Sequence, residues 1–137
     1  MTAYEFYSRA RLLKKQIFYD LQDLAILRET SISAQFGGCG GSSFGRVEGG
    51  TPQSKVESAA LKVVDAENKI AEKGRALEAL KTEISAKIDT IDDPVERIIL
   101  TWRYVMLKSW EDIILITGYS RAQVFRIHKK AMRRNIT

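Results

Sequence analysis

The stretch DPVERIILTWRYVMLKSWEDIILITGYSRAQVFRIHKKAMRRN, Asp93 to Asn135, decides how this chain is read. It divides into three short helical patterns, each with its own start signal. Asp93 offers an N-cap acceptor ahead of Pro94, and Glu96 stands in the capping-box position. Ser109 precedes Trp110, with Asp112 at the third helical position. Ser120 precedes Arg121, with Gln123 in the box position. Thr117-Gly118-Tyr119-Ser120 has the length of the turn in a helix-turn-helix, and Gly118 is free to take a positive φ. A three-helix core is expected from Ile98, Ile99, Trp102 and Val95, then Trp110, Ile113, Ile114 and Thr117, then Val124, Ile127 and Ala131.

The third pattern carries the functional signal. On a wheel of 3.6 residues per turn, Val124, Ile127 and Ala131 share one face, with His128 and Met132 at its edge. Ala122, Phe125, Arg126, Lys129 and Arg133 lie opposite, flanked by Arg121, Gln123 and Lys130. From Arg121 to Arg134 there are six basic residues and no acidic one. Helices exposed only to solvent usually gain from i,i+4 pairs of opposite sign. This helix forgoes them, so a polyanion, double-stranded DNA, is the expected partner. Arg121 and Arg126 are expected to reach base edges, because arginine pairs in a bidentate manner with guanine. Phe125 would pack on a thymine methyl group, beside Ala122 on the same face. Gln123, Lys129, Lys130 and Arg133 are expected on phosphates. Ser120 caps the helix and aims its positive end at the backbone. His128 is expected as a packed, neutral imidazole.

These residues resemble the fourth region of primary sigma factors, a helix-turn-helix that reads promoter DNA in the major groove. The likeness runs through Leu100, Arg103-Tyr104, Trp110-Glu111-Asp112-Ile113, Gly118, Ser120-Arg121, Val124, Ile127 and Ala131-Met132. The same run is similar to small phage and prophage late-gene regulators of the ArpU-like and RinA-like group. Arg46-Val47-Glu48-Gly49-Gly50, followed by a long helix, resembles that group as well. Two positions depart from the pattern: Ile114 stands where a small residue is usual, and Phe125 stands where sigma factors carry a polar reading residue. The resemblance implies host RNA polymerase as a further partner, docking at Leu115 with Val105, Met106 and Leu107 beside it.

The distribution of charge agrees with a basic C-terminal unit. The chain carries +5 overall, yet residues 94–137 hold nine Lys and Arg against three Asp and Glu, a surplus of six. Residues 1–93 hold thirteen against fourteen. Apolar content of 45% and charged content of 28% fit a soluble globular chain, expected in the cytoplasm and at the nucleoid. There is no apolar leader and no run of about 18 apolar residues, so no membrane partner is expected. Cys39 and His128 are the only cysteine and histidine, so neither a disulfide framework nor an ordinary zinc ligand set is available. No cofactor, metal or catalytic residue is expected.

Ahead of this unit lie two longer helical patterns. In residues 3–29, Phe6, Ala10, Leu13, Ile17, Leu21, Leu24 and Leu27 step by three or four. Tyr4, Tyr7, Leu12, Phe18 and Ile26 widen that stripe, so the helix should meet more than one neighbour. Residues 30–54 are rich in glycine and read as a linker, because no strand precedes the glycines and no P-loop lysine follows them. In residues 55–91, Val56, Val63, Ile70, Leu77, Ile84 and Ile91 recur every seven positions, with Ala59, Ala66 and Leu80 beside them. Lys73 and Lys87 interrupt the second row, and Gly74 lies mid-helix.

The expected architecture is all-α. A long, coiled-coil-like antiparallel hairpin with its linker occupies residues 1–91, and a three-helix helix-turn-helix unit occupies 92–137. A homodimer through helices 4–29 and 55–91 is expected. The functional reading is a sequence-specific phage-type transcription regulator acting on DNA. Two alternatives stay open: the small subunit of a phage packaging terminase, which would form rings, and an RNA-binding antiterminator. No acid/base pair or nucleophile constellation points to an enzyme.

Overall fold

The computed structural model describes residues 1–36 and 52–133. All regular structure among them is helical: α1 (Ala3–Phe36), α2 (Pro52–Asp89), α3 (Pro94–Leu100), a π-helical turn (Thr101–Val105), α4 (Trp110–Thr117) and α5 (Arg121–Met132). The chain is thus all-α, as its periodicities require. Because α1 continues to Phe36 and α2 begins at Pro52, both ends of the expected 30–54 linker are helical. The rest of that glycine-rich stretch, with Cys39, lies outside the described residues.

Contacts group the chain into two units, residues 1–15 with 75–137, and residues 16–74. This division passes through α1 and α2, whereas the sequence reading separates 1–91 from 92–137.

In the first unit, α1 opens with a capping box that the sequence reading overlooked. The Glu5 amide donates to Thr2 Oγ1 at 3.2 Å, and the Thr2 amide donates to Glu5 Oε2 at 2.7 Å. Bonding from Thr2 holds the Glu5 carboxyl below its usual range. The start of α1 then delivers Ala3, Phe6, Tyr7 and Ala10 into a core shared with Ile84, Ile88 and Ile91 of the α2 end, and with Leu100, Tyr104 and Ala131. Leu77 and Leu80 pack against it. A second cluster joins Ile99 of α3, Ile113 of α4 and Val124 of α5, edged by Val95, Trp102, Trp110, Ile114, Tyr119 and Ile127.

α3 therefore faces two cores, and this corrects its expected inward face. Ile99 enters one cluster and Leu100 the other, while Ile98, assigned to the core from sequence, is 47% exposed. The π-helical turn closes with the Met106 amide donating to the Thr101 carbonyl at 2.9 Å. Leu107 then takes a left-handed φ of 58°, turning the chain toward α4. The guanidinium groups of Arg11 and Arg103 both donate to the Lys108 carbonyl, at 3.4 and 3.2 Å, just before the Ser109 cap.

In the second unit the two long helices run antiparallel: Asp20 pairs with Lys73, and Arg28, further along α1, pairs with Glu67, earlier along α2, at 3.1 Å. Lys73, an apparent defect in the heptad row, is thereby matched across the seam. Leu24 is buried, and Ile17, Leu27, Val56, Val63 and Ile70 are half-buried. Leu21, placed on the inner stripe from sequence, is 48% exposed.

Candidate nucleic-acid interface

Local chemistry fixes the last three helices one at a time. Asp93 accepts from the Val95 amide at 2.9 Å and leads into Pro94, whose fixed φ suits the first helical turn. Glu96, expected as the partner in this cap, is instead fully buried, with Oε1 3.9 Å from Lys130 Nζ. Ser109 Oγ accepts from the Asp112 amide at 3.2 Å and starts α4. Gly118 ends α4 at φ 73°, a left-handed conformation that a side chain strains to adopt. Two residues later Ser120 starts α5 with a complete capping box. The Gln123 amide donates to Ser120 Oγ at 3.2 Å, and the Ser120 amide donates to Gln123 Oε1 at 3.1 Å.

α5 lies with Val124 and Ala131 buried and its other side open. Ser120, Arg121, Ala122, Gln123, Arg126, Lys129, Lys130 and Arg133 are all exposed, whereas Phe125 is half-buried. The wheel sorts these positions into three rows. Ala122, Arg126, Lys129 and Arg133 form one ridge. Among the described residues no carboxylate lies within 4.0 Å of Arg126, Lys129 or Arg133.

The other two rows hold cations compensated from other helices, although α5 has no opposite-sign pair along its own length. Arg121 meets Glu111 of α4 at 3.0 Å. Bonding to its own backbone and to Arg121 holds the Glu111 carboxyl below its usual range. Lys130 stands 4.0 Å from Asp93 and 3.9 Å from Glu96. These partners lie on other helices, so a search for opposite signs along α5 alone misses them. Arg121 and Glu111 both keep exposed side chains, and a pair of this kind contributes only about 0–1 kcal/mol, so exchange for phosphate costs little there; Lys130 lies against the buried Glu96 and is held more firmly.

An aromatic chain supports α5 from behind. The Phe125 ring packs on Trp110 with centroids 4.9 Å apart, and the Arg121 guanidinium lies 5.6 Å over Phe125. Trp110 meets His128 edge-on at 4.8 Å and carries Arg103 at 4.3 Å on its ring. His128 stacks on Tyr104, and Tyr104 stacks on Tyr7 at 5.5 Å. The Tyr104 hydroxyl lies 2.5 Å from His128 Nε2. Burial pushes the Tyr104 pKa up to about 12 and, with help from Arg103, the His128 pKa down to about 4. Both groups are neutral near pH 7, which assigns the tyrosine proton as the donor and Nε2 as the acceptor. Phe125, expected as a free reading residue, is therefore first a packing residue whose outer edge remains available.

The sequence reading names Tyr7, Tyr104 and Glu111 but gives them no part in the site. The only signal for Glu111 was its place in the first turn of α4, which lies beside the start of α5. Leu115, the expected polymerase-docking residue, is 82% exposed, and Met106 is 53% exposed. Among the described residues no helix is long and apolar enough to cross a membrane, and no group of three or more His, Cys, Asp or Glu is arranged to hold a metal. Set against family models, curated proteins and solved structures, the chain matches none.

Proposed function

We propose that α4 and α5 are the helix-turn-helix of a sequence-specific DNA-binding protein, and that α5 is its recognition helix. The observation that carries this reading is the uncompensated ridge of Arg126, Lys129 and Arg133 on the exposed side of α5. Three like charges on one helical ridge repel one another in water and are relieved by a phosphate backbone. The chemistry favours duplex DNA: Arg126 reaches a base edge in the major groove, while Lys129 and Arg133 hold phosphates. Ser120 and Gln123 leave the positive end of α5 ordered and open toward a phosphate. Arg121 joins when phosphate replaces Glu111.

The biological role that fits is a phage-type transcription regulator with a sigma region-four-like module, working as an accessory activator rather than as an enzyme. Leu115, the most exposed apolar side chain of α4, is the residue offered to host RNA polymerase. Selection of bound duplexes from a random pool tests this reading. Enrichment of one sequence, with base preference relaxed by Arg126→Ala, supports it. Equal recovery of all duplexes, or preference for a structured transcript over any duplex, overturns it.

A further inference from the structure

The outer face of α1 is more apolar than a solvent-facing helix requires. Phe18 is 56% exposed, Tyr19 55% and Ile26 61%. These residues are not scattered. On a wheel of about 100° per residue, Lys15, Phe18, Tyr19, Ala25, Ile26 and Glu29 all fall within roughly 60° of Gln22. All six, and Gln22 itself, are exposed. The face that meets α2, with Leu24 buried and Ile17 and Leu27 half-buried, points the opposite way. α1 thus has two apolar faces, and its own chain uses one. The heptad row of α2, by contrast, is turned inward, with Val56, Val63, Ile70 and Leu77 half-buried and Ile84 buried.

The outer face has a mirror order about Gln22. Phe18 lies four residues before Gln22 and Ile26 four after; Tyr19 lies three before and Ala25 three after. Lys15 lies seven before and Glu29 seven after. Neither Lys15 nor Glu29 has an oppositely charged partner within 4.0 Å among the described residues. When two copies of a helix pair antiparallel about a two-fold axis at Gln22, each residue comes level with its counterpart across that centre. Phe18 then faces Ile26 of the second copy, and Lys15 faces its Glu29, twice over. A parallel pairing would set Lys15 against Lys15 and Glu29 against Glu29. Isologous interfaces need this self-complementarity, and a surface built for another protein has no reason to possess it.

We infer that the protein is a homodimer held by the outer face of α1, paired antiparallel with a second copy about a two-fold axis at Gln22. The inference stands apart from the DNA reading, since it concerns a different face and a different measurement.

The test uses the full chain in a Cys39→Ser background, by sedimentation and by oxidative cross-linking. A dimer is expected in which Gln22→Cys forms an intermolecular disulfide, because helices packed about 8–10 Å apart bring those Cβ atoms within bonding reach. Glu29→Cys alone should remain uncross-linked, and a mixture of Glu29→Cys with Lys15→Cys should cross-link. Lys15→Glu or Glu29→Lys alone should weaken dimerisation on the order of tenfold, since two symmetry-related pairs turn repulsive. The double exchange should restore it, which a folding defect would not allow. A monomer, a ring of many copies, or a dimer in which Glu29→Cys links to itself overturns the inference.

Discussion

The hydroxyl of Tyr104 lies 2.5 Å from Nε2 of His128 and ties the π-helical turn to the middle of α5. The His128 pKa of about 4 lies below its ordinary value, so the folded state holds this ring neutral while the unfolded chain protonates it. As pH falls from about 6.5 to about 4, the unfolded state binds the extra proton and stability drops. The full shift corresponds to about 2 kcal/mol between pH 7.5 and pH 5, and solvent screening of this half-buried ring lowers the expected loss to about 1 kcal/mol, measured by urea unfolding at the two values. Glu5 and Glu111, whose folded pKa values are lowered, lose their contribution only at lower pH. His128→Gln should therefore flatten the slope between pH 7.5 and 5. An unchanged slope would show that His128 is not the group responsible.

The second prediction concerns independence. Leu100, Tyr104 and Ala131 are covered by Ala3, Phe6, Tyr7 and Ala10 and by Ile84, Ile88 and Ile91. A fragment of residues 92–137 exposes that half of its core and should show little cooperative unfolding by circular dichroism. In the whole chain, Tyr7→Ala should cost about 3 kcal/mol through the cavity it leaves behind Tyr104. A fragment that melts cooperatively would show that α1 and α2 are dispensable to the unit.

How much of this was legible follows from what each residue meets. The caps at Asp93, Ser109 and Ser120, the Gly118 turn and the heptad row of α2 are local patterns, set by backbone geometry within a few residues. The all-α fold was readable for the same reason. The double-faced character of α3 was not, because one amphipathic stripe was assumed where two cores compete for Ile99 and Leu100. Glu96 has a local meaning as a capping residue, but its burial beside Lys130 overrides that meaning. At the candidate interface, the exposed positions of α5 were readable from the wheel alone. The pairs Arg121–Glu111 and Phe125–Trp110 were not, because each joins α5 to a helix whose approach only packing determines.

Gly118 provides the third prediction. A Cβ placed there meets nothing within 4 Å, so substitution strains the backbone without a clash. Gly118→Ala should cost about 1–2 kcal/mol and Gly118→Asn less, as read from thermal unfolding. Equal losses for the two variants would mean that φ is not what the position demands.

Glu111 supplies the fourth. It holds Arg121 at 3.0 Å on the edge of the proposed interface. Glu111→Gln removes a negative charge there and frees a cation, so duplex affinity should rise several-fold at low salt, with the salt slope steeper by up to about 0.9 per chain. Affinity that falls would place Glu111 in direct contact with a base or remove Arg121 from the interface.

The most direct test of the account is duplex binding by the full chain, followed by fluorescence anisotropy across a range of salt concentrations. Lys129 and Arg133, the phosphate-holding members of the ridge, predict that log K falls with log salt by at least about 1.8 per bound chain, roughly 0.9 for each phosphate neutralised. Lys129→Ala should reduce that slope by about 0.9 while leaving helix content unchanged. Binding with the same affinity and slope after all three residues are changed to alanine would contradict the account.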